Sequence, residues 1–552
     1  MSIQTEAGHG APGARAVAAT DQRVDAGGAA RGTTGGPVLP LWAALGAAVV
    51  GGVAMDTAFP SLGWWPLAFL AVPLALVSLI GRRLRGSVLV GVGYGAGFFF
   101  PHVSWAAQFL GDHPLGWLPW VALAGASSLL MGALAPLITL AYRWLPRWRD
   151  TGAVRLLVLP FLVAGAWLVR ELIMGSWPYG GFPWGRVGMS QSASPLAEVA
   201  SWLGVSGLTF LMVALCAMAI EAVRLIRAGQ VPVRGAIGTP RKPWLAALPT
   251  VLLAVVMLVV PQFPTQFAGT MRVGAVQGDG PAAYADERRP GEVLDSQLAA
   301  SAPLAHEDVD IVVWPEGGVD SDPLANAATS RTLTDAVNHY DAPILLNAAS
   351  AQDDAVYNTS FLWTDEGATA SHSKHHPVPF GEYVPHRDFY GAIAPSLVNL
   401  LQREYAHGTD TPAVDVDGSQ VGLAICFDVI FDDVIREGAH SDAQVYMFQT
   451  NNADFRGTDE NLQQLAIARM RAIETGRSVV NLSTSGTSQV FAADGATVTA
   501  LPVDEPGLMV TDVELRDGLT AGVVLGPWVE HLVLWGTLLA LASLALAARR
   551  RG

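Results

Sequence analysis

A helical membrane bundle of about eight spans, carrying one inserted α/β domain, is the architecture that the sequence predicts. Three observations lead there. Only 15% of the 552 residues are charged while 51% are hydrophobic, against roughly 25% charged in ordinary soluble domains. Apolar runs and charge are segregated: residues 37–260 are nearly continuous apolar stretches, residues 271–524 read as a soluble domain, and a last apolar run follows. Lysine and arginine gather in every second connection between the apolar runs, the mark of cytoplasmic loops.

In chain order, the first 36 residues are rich in Gly, Ala and Thr without apolar periodicity, the composition of a disordered tail. They lack the apolar core near the start that a cleaved signal peptide requires. Spans are expected at 38–55, 66–80, 87–110, 117–142, 154–174, 197–226, 243–261 and 526–548. Each approaches the ~20 apolar residues that cross a bilayer, the second being the shortest. Arg82, Arg83 and Arg85 follow the second run, and Arg143, Arg147, Arg149 and Arg155 separate the fourth from the fifth. Arg224, Arg227, Arg234, Arg241 and Lys242 separate the sixth from the seventh, and Arg549, Arg550 and Arg551 close the chain. The alternate connections hold Arg186 as their one basic residue. Both termini are therefore expected in the cytoplasm and the inserted domain outside it. The expected divisions are a tail at 1–36, a seven-helix membrane domain at 37–262, an extracytoplasmic domain at 270–520 and a closing helix at 526–548.

Within the inserted domain, β-branched runs predict strands over Met271–Gln277, Asp310–Trp314, Ala342–Ala348, Tyr357–Trp363, Gln420–Cys426, Ala443–Gln449 and Ser478–Ser483. Helical patterns lie between several of them, most clearly Glu460–Thr475, and such alternation indicates an α/β domain with buried sheets. The domain holds 38 acidic and 13 basic residues, a balance that repels phosphate backbones and excludes nucleic acid as a partner. Cys216 lies in an apolar run and Cys426 in the soluble part, contexts that rule out a disulfide between them.

Three chemically capable residues fall at or just past strand ends. Glu316 follows Val-Val-Trp-Pro, Cys426 stands in Ala-Ile-Cys-Phe-Asp, and Lys374 opens Lys-His-His-Pro-Val-Pro-Phe-Gly-Glu-Tyr-Val-Pro. A deprotonated thiol is the strongest side-chain nucleophile near neutral pH. A carboxylate can take its proton and an ammonium can hold an oxyanion. Singly, each has a plainer reading, since a lone cysteine at a strand end is usually a small buried hydrophobe. Their order, spacing and flanks together favour acyl transfer. His372, His375 and His376 match no standard ligand spacing, so no metal is expected. Arg170 and Glu171, near one end of the fifth run, suit structural pairing or snorkelling as well as function. Asn451, Asn452 and Arg456, just after the strand Ala443–Gln449, could line a site. Phe389, Tyr390, Ile393, Leu397, Leu400 and Leu401 form an apolar stretch at roughly helical spacing, read as a lid or as an arm that meets lipid.

The combined motifs resemble the nitrilase superfamily: Val-Trp-Pro-Glu, then Lys374 with Glu382 eight residues on in Phe-Gly-Glu-Tyr-Val-Pro, then Ile-Cys-Phe-Asp. The multi-span frame resembles its apolipoprotein N-acyltransferase branch, as do Gly180–Trp184, Val276–Asp279 and Ala468–Arg477. The resemblance implies an αββα sandwich with Glu316 as base, Lys374 as oxyanion holder and Cys426 as nucleophile. Glu382, Phe427 and Asp428 would support them; Asp428 stands where the branch often has glutamate. It further implies a multi-pass enzyme of the bacterial cytoplasmic membrane without cofactor, acting as a monomer. Its donor would be a phospholipid and its acceptor a diacylglyceryl-modified apolipoprotein. Two rival readings are a membrane-tethered amidase with water as acceptor, which leaves seven spans without purpose, and a transporter, which the near absence of charge within the runs disfavours.

Overall fold

The computed structural model describes residues 36–111, 113–227, 243–284 and 286–551. The expected tail at 1–35 and the connection bearing Arg234, Arg241 and Lys242 lie outside the described residues. Helices occur where all eight apolar runs stand: α1 Leu41–Asp56, α2 Ala68–Leu79, α3 Leu84–His102, α4 Trp117–Trp148, α5 Leu159–Met174, α6 Ala200–Arg227, α7 Leu248–Val259 and, after the inserted domain, α14 Ala521–Arg551. Among the described residues, four helical stretches are long and apolar enough to cross a membrane: Trp117–Trp148, Val154–Met174, Ala197–Arg227 and Ala521–Arg550. Leu41–Asp56, Trp65–Leu79 and Trp244–Val259 are shorter apolar helices. The third helix stops at His102, short of the expected 110. Pro101 lacks an N–H to donate, and the chain leaves the helix within two residues of it.

Close helix contact comes from glycine. A Cβ at Gly52 of α1 would lie 2.3 Å from Tyr94 O of α3, and one at Gly97 of α3 would lie 2.4 Å from Val49 O of α1. Small residues at both positions let the backbones touch, the packing that substitutes for hydrophobic drive within lipid. Several expected loop arginines are tied down instead of solvated. Arg82 is buried and donates to Leu39 O at 2.8 Å, while Arg155 and Arg224 both pair with the buried Glu221.

The inserted domain contains two six-stranded sheets. One has the order β12-β1-β2-β3-β4-β5 and the other β11-β10-β9-β8-β7-β6. The strands are β1 Gln266–Gln277, β2 Ile311–Val313, β3 Ile344–Gln352, β4 Ala355–Thr364, β5 Gly367–Ser373, β6 Ala413–Val416, β7 Ser419–Ile425, β8 Val445–Thr450, β9 Val479–Ser483, β10 Gln489–Phe491, β11 Thr497–Ala500 and β12 Gly507–Asp517. Alternate side chains decide the layers. Val273, Ile311, Val313 and Leu345 of one sheet share a core with Val421, Leu423, Met447 and Val480 of the other. Val276, Val312, Trp314 and Leu346 face the opposite way, with Leu294 of α8 (Glu292–Ser301) and Leu333 of α9 (Ala327–Tyr340). Behind the second sheet, Tyr446 and Phe448 join Ile435 of α12 (Asp432–His440) and Met470 of α13 (Glu460–Thr475). The result is an α-β-β-α stack. Since both faces of the central strands are buried, these strands read as continuous apolar runs.

The outer helical layer beside α12 and α13 is also the seat of the domain on the membrane helices. Arg186 Nη1 and Arg471 Nη1 each lie 2.7 Å from a carboxylate oxygen of Asp432. Arg436 bridges Asp432 at 3.3 Å and Glu530 of α14 at 2.8 Å, and Ser206 of α6 receives Arg186 and donates to Glu530. Arg186, the basic exception among the alternate connections, is thus spent inside this junction. Breaking one member of a buried charge network strands the others, so the network fixes how domain and bundle meet. Arg170 takes the pairing reading: Nη2 lies 3.0 Å from Glu171 Oε1, which also accepts from Trp167 Nε1 and Val187 N.

Candidate active site

The site is assembled at the carboxyl ends of strands, β2 and β7 being paired parallel to a neighbour and β5 antiparallel to β4. Glu316 follows β2, Lys374 follows β5, and Cys426 follows β7. The strand expected to include Cys426 ends at Ile425. Cys426 opens a short 3₁₀ turn, Cys426–Ile430, with φ of 49°. That left-handed backbone is uncommon for a residue with a Cβ and marks a strained turn, whose following residues Phe427–Ile430 are buried.

Lys374 is buried to 1% exposure. Its Nζ lies 3.1 Å from Glu316 Oε1 and 2.9 Å from Glu382 Oε2. One buried ammonium is therefore shared by two carboxylates. Burial would lower the Lys374 pKa, but Glu316 and Glu382 hold it well above the usual lysine range. Burial raises the Glu316 carboxyl above its ordinary value, Lys374 opposes this and Glu382 adds to it. The Cys426 thiol is pushed well up, by burial first and by Glu316 second, with Lys374 opposing. At neutral pH the resting site thus holds a charged lysine and a protonated thiol. The carboxylate beside them has more than ordinary affinity for a proton, as a base for that thiol requires.

Supporting groups hold these three. Asn358 Nδ2 donates to Glu316 Oε1 at 2.7 Å and to Glu382 Oε1 at 3.3 Å. Asn347 Nδ2 in turn donates to Asn358 Oδ1 at 2.9 Å. Neither asparagine was anticipated from the sequence; the signal was the polar Asn-Thr-Ser run inside an otherwise apolar strand. Asp428 is fully buried and accepts from the backbone N–H of His376 at 2.8 Å and of His375 at 3.3 Å. It thereby straps the lysine loop to the Cys426 turn, and the shorter aspartate side chain reaches both. Phe427 stacks on Phe182 at 6.2 Å. The neighbouring Trp184 Nε1 donates to Gln463 Oε1 of α13 at 2.7 Å, so the Gly180–Trp184 stretch lies against both α13 and the Cys426 turn. Asn451 is engaged with the loop before α8, donating to Ala282 O at 3.1 Å.

The histidine cluster is a second strap. Asp410 accepts from His372 Nδ1 at 2.7 Å and from Ser373 N at 3.0 Å. Burial would lower the pKa of His375, but hydrogen bonds to Asp410 hold it at about 9. His372, His375 and Asp410 have ligand atoms within 4.8 Å of one another. His375 Nε2 nevertheless donates to Asp410 O at 2.6 Å, and a protonated, donating nitrogen has no lone pair for a metal.

The stretch expected as a lid or arm folds as α10 Arg387–Ile393 and α11 Pro395–Val398. Val384, Val398, Leu401 and Tyr390 give it a small core of its own. Leu397 is half-buried, whereas Phe389 and Ile393 are 61% and 65% exposed.

A stacked pair of six-stranded sheets with a Glu-Lys-Cys cluster at the strand ends defines a carbon–nitrogen hydrolase domain, and that family model matches residues 272–518. A second model, the apolipoprotein N-acyltransferase N-terminal domain, matches residues 51–218. The chain is 32% identical to an apolipoprotein N-acyltransferase of Mycolicibacterium smegmatis over 94% of this chain and 88% of that one. It is 26% identical to one of Photobacterium profundum over 92% and 95%. The chain belongs to the apolipoprotein N-acyltransferase family. Among solved structures it is similar to XC1258 of Xanthomonas campestris, a CN-hydrolase superfamily protein, with TM-score 0.36, 18% identity, and 48% of this chain and 97% of that one covered. It is also similar to an amidase from Nesterenkonia sp., with TM-score 0.35, 20% identity, and 45% and 90% covered.

Proposed function

We propose that this protein moves an acyl chain from a phospholipid to the α-amine of a lipoprotein's N-terminal diacylglyceryl-cysteine, through a thioester on Cys426. Membership of the acyltransferase family carries this reading, and the Lys374 ammonium held between Glu316 and Glu382 supports the chemistry. Glu316 takes the thiol proton as sulfur attacks the ester carbonyl. The oxyanion faces Lys374, the C–O bond breaks, and the lysophospholipid leaves with the proton from Glu316. In the second half the amine attacks the thioester and yields its proton to Glu316. The C–S bond breaks, and the proton returns to sulfur. One chain is the working unit, and neither half needs a metal or a nucleotide. Intact-mass measurement after incubation with phospholipid should find one acyl adduct, mapped to Cys426. An adduct-free protein that releases ammonia from amides would favour the amidase reading.

All eight helices cross the membrane in this reading, with both termini in the cytoplasm and the catalytic domain outside. The supporting observation is the concentration of arginine at alternate connections. In a Cys426→Ala background, Ala328→Cys on exposed α9 should react with an impermeant thiol reagent in intact cells. Arg83→Cys should react only after the membrane is broken. The reverse pattern would place the domain in the cytoplasm, away from lipoprotein substrates.

Phe389 and Ile393, exposed on α10, are the lipid-facing groups of the arm, while Leu397 packs more deeply. Full burial of such a side chain is worth about 1.5–3 kcal/mol. Replacing both by Ser should therefore slow acylation from bilayers by about tenfold or more. Alkylation of Cys426 by a small soluble reagent should be unchanged. Normal acylation from bilayers would reduce the arm to a packing element.

A further inference from the structure

Beyond the charges of Glu316, Lys374 and Glu382 that reach it, the Cys426 sulfur accepts a side-chain hydrogen bond from α13. Gln464 of α13 is 1% exposed, and its Nε2 lies 3.7 Å from Cys426 Sγ. A carboxamide can present either end to a sulfur, and only the nitrogen end donates. Here the choice is made from behind. Asn452 Nδ2 lies 2.9 Å from Gln464 Oε1 and 2.8 Å from Glu460 Oε2, which occupies both of its hydrogens. Asn452 Oδ1 accepts from Ser483 Oγ at 2.7 Å. Turning Asn452 alone end for end would set its oxygen against Gln464 Oε1. As the side chains are placed, donation runs from Asn452 to Gln464 and from Gln464 to Cys426, with the Gln464 N–H group towards the sulfur.

A neutral thiol is a weak acceptor, and a thiolate is a strong one. An N–H aimed at sulfur therefore stabilises the reacting form more than the resting form, which is what accelerates a step. The other groups whose charge reaches the thiol are Glu316, Lys374, Glu382 and Glu460, and Asp428 sits two residues along the same turn. Burial holds Glu460 at about 8, with Asn452 opposing, so near neutral pH it adds little negative charge beside the sulfur.

We propose that Gln464 is a further catalytic residue whose carboxamide N–H holds the Cys426 thiolate, and that Asn452 is the positioning residue that turns this N–H towards the sulfur. In the acyl-transfer reading, on which the steps rest, the thiolate forms twice. It arises when Glu316 removes the thiol proton, and again when the thioester C–S bond breaks under attack by the amine. Gln464 forms and breaks no covalent bond in either step.

The test reads the thiol itself, as the pH dependence of alkylation by iodoacetamide in the full-length, detergent-solubilised protein carrying Cys216→Ala. Gln464→Met keeps the shape and removes the donor. It should move the alkylation midpoint up by about one pH unit or more, the effect of losing a hydrogen bond to a charged group. Asn452→Asp leaves Gln464 in place but offers it only acceptors, so the amide turns over and the midpoint should rise again. In a Gln464→Met background the same Asn452→Asp change should have little effect, because there is no amide to turn. An unchanged midpoint in folded Gln464→Met would overturn the proposal. So would an Asn452→Asp shift of full size in the double variant, which would be the effect of charge alone. If Gln464→Met does not fold, Asn452→Asp carries the test, an unshifted midpoint overturning it. Alkylation needs no lipid, so the midpoint judges Gln464 separately. A wild-type protein that forms no phospholipid adduct would sink the functional reading alone.

Discussion

Cys426→Ala is expected to give a folded, membrane-inserted protein in which acyl transfer falls on the order of 10⁶-fold, the scale seen when a covalent nucleophile is removed. The fold should tolerate the change. Alanine meets the same backbone strain as cysteine at φ 49°, and the lost atom makes a single long hydrogen bond, to Gln464. Cys426→Ser should be nearly as inactive. A buried hydroxyl is far harder to ionise than a thiol of ordinary pKa about 8.5, and burial already opposes even the thiolate here. The check is intact mass for the acyl adduct and a lipoprotein mobility shift for product, alongside a thermal melt. Turnover by the Ala variant near that of wild type would remove Cys426 from the mechanism.

Lys374→Met should slow both thioester formation and its breakdown by about 10²–10³-fold, since each passes through an oxyanion and the loss of one such donor has that size. The structure adds a second consequence. Lys374, with a smaller contribution from the Asn358 hydrogen bond, lowers the Glu316 pKa against burial and Glu382. Without the ammonium, Glu316 should hold its proton to higher pH. The acid limb of the pH–rate profile should therefore move upward, because the base works only when deprotonated. Single-turnover acylation measured across pH separates the two effects. Normal thioester formation in a folded variant would contradict the oxyanion role, and an unmoved acid limb would contradict the coupling to Glu316. Two carboxylates left without their cation also make this variant less stable than Cys426→Ala.

Much of this was legible in the chain itself. The eight apolar runs are eight helices, and the seven expected strands are seven central or near-central strands of the two sheets. Both signals come from burial. A helix among apolar neighbours, or a strand covered on both faces, cannot carry charge cheaply and so writes itself as an apolar run. The strands that went unread were β5, β6, β10, β11 and β12. Four of these are sheet edges and β10 is three residues long. Edge strands such as Gly367–Ser373 and Thr497–Ala500 are half-exposed and rich in Ala, Thr and Ser, so no apolar run announces them.

Residue chemistry at strand ends marked Glu316, Lys374 and Cys426 because each stands in a local motif with its own turn. The groups that orient them have no such motif. Asn358 meets Glu316 from 42 positions away, Asp428 meets His376 from 52, and Gln464 meets Cys426 from 38. Arg186 meets Asp432 across 246 positions, joining bundle to domain. The sequence by itself determined the division into bundle and domain, the central strands and the choice of Glu316, Lys374 and Cys426 as candidates, since each follows from the composition or pattern of a short segment. The partners, the sense of the Asn452–Gln464 amide chain and the seat of the domain on the helices were decided by tertiary structure alone. A hydrogen bond or ion pair between distant segments depends on where the fold delivers two side chains, and neither segment carries a trace of the other.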